Sequence, residues 1–218
     1  MGDRSPVGRR DALRNRKLLT DKAREVFAEQ GLNAPLDVDR PAGGRGQRHL
    51  YRRFPTRAAL VDKVFLGALS EIAATGERAR TARDAWTGLT QYLQTVFAGL
   101  AADRGTHDLM TTNLEGAPSP KAIHAHNRET IDKLLRRGQK QGTIRPDLTT
   151  EDLLITLAAL GRAVPALTTV APDAWLRPLA LLLDSLRTNP TASPLPASAL
   201  TSDKLGEVLL NLGPHRRR

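Results

Sequence analysis

The chain contains no cysteine. That excludes a disulfide framework, a thiolate metal site and a cysteine nucleophile. Aromatic residues are only 4% of the 218 positions, and Leu and Ala are abundant, a balance that favours helices over sheets. No uninterrupted apolar run approaches the ~20 residues that cross a bilayer. The first ten residues are polar and charged, unlike a secretory leader. These absences lead us to expect a soluble, cytoplasmic protein with no membrane partner. There is also no P-loop, dinucleotide fingerprint or nucleophile elbow, so no enzyme activity and no cofactor are expected.

Basic residues, by contrast, are in excess. Lys and Arg number 33 against 23 Asp and Glu, a formal net charge of +10. Most of it is concentrated at one end: residues 1–57 hold 14 basic and 7 acidic side chains, a net +7. A basic quarter on a nearly neutral body points to an acidic partner, either nucleic acid or an anionic membrane surface. Arg outnumbers Lys 26 to 7, as in a GC-rich gene.

Hydrophobic periodicity predicts an all-α chain. Residues 1–10 read as a disordered basic arm. Leu18, Leu19, Ala23, Val26 and Phe27 define a first helix over about 11–30, closed by Gly31. Thr56 is placed to cap a long helix running from Arg57 to about Arg80. Further helices are expected over about 84–103, 106–115, 119–141, 150–167 and 173–187. Past Asn189 the composition turns to Pro, Ser, Ala and Thr, an extended or flexible tail over 191–218, with a weak amphipathic turn at Leu205–Leu212.

Two blocks carry the most specific signal. The first is Ala23-Arg24-Glu25-Val26-Phe27-Ala28-Glu29-Gln30-Gly31. The second is Leu50-Tyr51-Arg52-Arg53-Phe54-Pro55-Thr56-Arg57-Ala58-Ala59-Leu60. In this order and spacing they resemble the DNA-binding domain of the TetR family of transcriptional regulators. The resemblance implies a three-helix helix-turn-helix unit over about 11–56. It also implies an effector-binding and dimerisation body over 57–190, whose last two long helices pair with those of a second copy. The partners would then be a double-stranded DNA operator, a small-molecule effector and a homodimer mate. A recognition helix in the major groove presents hydrogen-bond donors outward. Around Leu50 those residues would be Gln47, Arg48, His49, Tyr51, Arg52 and Arg53, with Arg57 on the DNA backbone.

The stretch 38–49 departs from the family pattern. The family shows Ile-Ala-x-x-Ala-Gly-Val and then Gly-Thr, whereas this chain places Pro41, Gly43, Gly44 and Gly46 there. A proline costs ~3 kcal/mol in a helix interior. Back-translating Gly44–His49 into GC-rich codons and reading one nucleotide later gives Ala-Gly-Ala-Asn-Gly-Thr, close to the family pattern. A short out-of-frame segment between two compensating indels would explain this. It leaves an alternative function open: a helical ligand-binding or scaffold protein whose helix-turn-helix no longer binds DNA.

Within the body, Trp86, Tyr92, Phe97, Met110 and Trp175 could line an effector cavity or simply pack the core. Gly142–Asp147 resembles a turn common in these regulators. His107, His124 and His126 are the one cluster that hints at metal. His124 and His126 are two apart, about 160° around a helix, so no metal site is expected.

Overall fold

The computed structural model describes residues 6–35, 54–111, 118–191 and 193–212. These form eight helices: α1 (Pro6–Gln30), α2 (Arg57–Thr81), α3 (Ala85–Ala102), α4 (Arg104–Thr111), α5 (Pro118–Lys140), α6 (Thr150–Val170), α7 (Leu176–Ser185) and α8 (Ser202–Leu212). The chain is all-α, as its composition and periodicity predict.

Local chemistry sets most of the boundaries. Gly31 ends α1 with φ +83° and returns its amide to Phe27 O at 2.9 Å, a left-handed stop that glycine adopts without steric cost. Thr56 caps α2 through the Ala59 amide. Asp84 caps α3 at the amides of Trp86 and Thr87. Thr149 and Asp152 form a reciprocal capping box at α6.

Among the boundaries that differ from the expected ones, three have a clear physical reason. First, α1 starts at Pro6, so residues 6–10 are helical rather than part of an extended arm; proline suits a first helical turn, where its missing amide costs nothing. Second, α7 starts at Leu176 because the Pro172–Trp175 segment closes tighter turns, with Ala174 N to Ala171 O and Leu176 N to Asp173 O. Third, the weak turn near the C-terminus is an eleven-residue helix, α8, which buries Leu205 and packs on α6.

The tail leading to α8 is pinned as well. Arg145 forms a two-pronged ion pair with Asp147 at 2.7 and 2.8 Å and donates to Ser193 O, while Asp147 accepts the Leu195 amide. The bond from Arg145 holds the Asp147 carboxyl down to about 2. One antiparallel bridge, Ile144 to Arg187, ties the α5–α6 turn to the chain leaving α7.

The core lies where α2, α3 and α5 meet. Phe65, Leu69 and Ile72 from α2 pack with Leu89, Leu93 and Phe97 from α3 and with Ile131, Leu134 and Leu135 from α5. α1 joins this core through Leu19, Ala23 and Phe27; the Phe27 ring stacks on Phe65 at 6.0 Å.

α6 does not contradict the expectation of no membrane span. Although Glu151, Asp152 and Arg162 interrupt its sequence, its 21 residues are long and apolar enough to cross a membrane by length and composition, with hydropathy 1.7 over the most apolar window. It nevertheless packs on α3, α4, α5 and α8. Only 22% of that window is buried within the chain.

Candidate nucleic-acid interface and effector body

Six of the expected DNA-contact residues, Gln47, Arg48, His49, Tyr51, Arg52 and Arg53, lie outside the described residues, as does the atypical stretch 38–49. The described residues do show how both flanks of that 18-residue segment are held. On one side Leu32 and Ala34 are buried, and on the other Phe54 is buried.

Arg57 connects the two flanks. Its Nε donates to Leu32 O at 2.7 Å, a terminal nitrogen donates to Ala34 O, and the guanidinium lies over the Phe27 ring at 5.5 Å. The first side chain of α2 thus satisfies carbonyls in the turn that follows α1. The family resemblance implies a DNA-backbone contact for this guanidinium; in the structure it also holds these two carbonyls.

A second attachment comes from α4. Asp103 caps α4 at the Thr106 amide and also forms an ion pair with Arg24 of α1. Arg24 in turn covers the Phe65 ring at 4.5 Å. Asp108 accepts the Leu32 amide at 2.9 Å. Burial pushes the Asp108 carboxyl up, but bonds from His107 and the Leu32 amide, with the charges of His107 and Arg104, outweigh it and leave it below its ordinary value. A Cβ at Gly31 would sit 2.3 Å from Asp108 Oδ2, so glycine there serves close approach as well as φ.

The sequence alone does not group Arg24, Asp103, His107 and Asp108 as a positioning set. Arg24 and Asp103 are 79 residues apart, and Leu32 and Asp108 are 76 apart. The only local signal was Asp103 standing before a helix as a natural cap.

The five expected effector residues do not form one group. Phe97 and Trp175 stack at 6.5 Å. Trp175 and Leu176 also border an open recess of about 510 Å³ with Gln91, Gln94, Thr95 and Ala98 of α3. Tyr92 is fully buried and donates to Asn127 Oδ1, and burial raises its phenol above the ordinary value. Met110 is half-buried on α4. Trp86, near the N-terminal end of α3, carries the Arg187 guanidinium over its ring at 4.4 Å.

The histidines separate too. His124 is exposed, while His126 turns toward Arg80 of α2, 3.3 Å away. His107 is buried and reaches α6. Among the described residues, no three ligating side chains converge as a metal site would need.

Residues 84–188 match the C-terminal domain of SbtR-like transcriptional regulators of the TetR type. No curated protein matches. Among solved structures, a TetR regulator from Streptomyces coelicolor is 26% identical with TM-score 0.52, over 81% of this chain and 99% of that one. A TetR regulatory protein from Mycobacterium vanbaalenii is 27% identical with TM-score 0.50, over 83% and 99%. The ketosteroid regulator KstR2 of Mycobacterium tuberculosis, at 23% identity, TM-score 0.54 and 80% and 96% coverage, shares the fold. The matched body domain, the likeness to whole TetR regulators and the two N-terminal motif blocks all point the same way, to a DNA-binding transcriptional regulator of the TetR type.

Proposed function

We propose that the protein is a homodimeric repressor that binds a palindromic operator and is released by a small molecule bound in the α3–α7 body. The observation that carries the reading is the uncovered apolar face of α6 and α7. Val170 is 87% exposed, Leu181 64% and Leu176 44%, on helices that a soluble monomer would cover. A second copy related by a two-fold axis would bury this face and set two recognition helices one turn of DNA apart. Gln47, Arg48, Arg52 and Arg53 are the proposed base and phosphate contacts, with His49 and Tyr51 beside them. Trp175, which borders the recess, and Phe97 stacked on it are the proposed effector contacts.

Effector and DNA would favour different poses of α1 relative to the body, so each weakens the other reciprocally.

Light scattering should give twice the chain mass, and Leu181→Glu should halve it by placing a charge in the interface. The same variant should lose operator affinity in a gel shift on the duplex upstream of the coding sequence. Wild-type binding should fall steeply with salt. A monomeric wild type rejects the dimer. A dimer with no shift at low salt favours the alternative, a ligand-binding protein with a damaged helix-turn-helix.

A further inference from the structure

α6 contains Pro165 in its interior. In a regular helix, the amide of residue 165 would close a turn onto the carbonyl of residue 161. Proline has no amide hydrogen, and its ring crowds that carbonyl. Gly161 O therefore lacks its helical donor, and a buried carbonyl left in that state is costly. His107 of α4 supplies the replacement: its Nε2 lies 3.1 Å from Gly161 O in a buried setting. A carbonyl can only accept, so Nε2 carries the proton. The other ring nitrogen, Nδ1, is 3.5 Å from Asp108 Oδ1. The remaining oxygen of Asp108 accepts the Leu32 amide, just beyond α1.

The two residues are consecutive on one short helix, so their side chains leave it about 100° apart. One reaches α6 and the other reaches the turn after α1. The first turn of α4 is also fixed to α1, by Asp103 and Arg24. A displacement of α6 near residues 161–165 therefore reaches the α1 turn through a single rigid element. That turn also supplies the carbonyls held by Arg57.

We propose that His107 and Asp108 form a relay that makes the pose of the N-terminal unit depend on α6. His107 takes up the carbonyl that Pro165 leaves without a donor, and Asp108 holds the Leu32 amide. The relay's regulatory meaning rests on the DNA-binding reading above, because α6 is also the helix assigned to the dimer interface. Pairing of the two copies would then be felt at the helix-turn-helix.

Hydrogen exchange of the Leu32 amide tests the relay without DNA. Two variants perturb the α6 end and leave Leu32 and Asp108 in place. Pro165→Ala restores an amide that competes with His107 for Gly161 O, and His107→Phe removes the imidazole. Asp108→Ala marks full loss of the contact. Both α6-end variants should speed Leu32 exchange roughly three- to tenfold, the weight of one hydrogen bond, while core amides of α2 and α5 keep wild-type rates. Unchanged Leu32 exchange in Pro165→Ala overturns the relay, as does acceleration shared equally by every amide. If His107→Phe does not fold, Pro165→Ala alone decides, since it improves helix propensity and keeps the imidazole. Failure of the wild type to shift DNA counts against the DNA-binding reading and leaves the exchange result standing.

Discussion

Gly105→Val is expected to detach α1 from the body while the body stays folded. A Cβ at residue 105 would lie 2.6 Å from Phe65 Cζ and 2.9 Å from Phe27 O. Neither neighbour can give way easily. Phe65 is fully buried and stacked on Phe27, and the Phe27 carbonyl already accepts the Gly31 amide that ends α1. Close-packed interiors transmit such an overlap rather than absorb it. Overpacking of a fixed contact costs about 3 kcal/mol or more. Gly105→Ala should cost less than valine, because only one methyl must be fitted.

The readout separates the two parts of the chain. Both tryptophans, Trp86 and Trp175, belong to the body. In Gly105→Val their emission should keep its folded maximum, while trypsin cuts the Arg- and Lys-rich N-terminal segment much faster. Equal protease resistance in the variant and the wild type would mean that the α4–α1 contact is not a tight one.

Most helices were legible because their evidence is local. Gly31, Thr56, Gly142 and the Thr149–Asp152 pair are stop and start signals that act within four residues, and each marks an observed helix end. α8 was read only as a weak turn because its stability comes from elsewhere. Leu205 is buried against α6, and Ser202 bonds Glu151 and Arg128. The segment before it is rich in Pro and Ser, and Gly206 lies inside it, so propensity alone argued against a helix. The positioning set was illegible for the same reason. Arg24, Asp103 and Asp108 look like ordinary charged residues on amphipathic helices until the fold joins positions far apart in sequence. The pairing of Pro165 with His107 is a similar case. A proline at that place announces an orphaned carbonyl at Gly161, but nothing in the sequence says which donor answers it.

Arg57→Ala is expected to weaken operator binding through the fold of the N-terminal unit rather than through a lost phosphate contact. The two mechanisms separate in a salt titration. A residue that neutralises one phosphate contributes about one unit to the slope of log affinity against log salt, and its removal flattens that slope. A clamp contributes nothing to the slope. Its loss lowers the fraction of molecules in the binding-competent pose, so apparent affinity falls by that fraction at every salt concentration. Arg57 makes two charge-assisted bonds to carbonyls and lies over the Phe27 ring, a set worth about 3 kcal/mol after competition with water. Alanine should therefore loosen the Leu32–Ala34 turn in hydrogen exchange and cut apparent affinity more than tenfold with the salt slope unchanged. Lysine keeps the charge but cannot span both carbonyls with a planar fork, so Arg57→Lys should recover little of the loss. A lysine variant that restores full affinity, or an alanine variant whose slope drops by one unit with a rigid turn, would return Arg57 to the DNA backbone. As a clamp, Arg57 acts where the first turn of α2 holds the turn that follows α1.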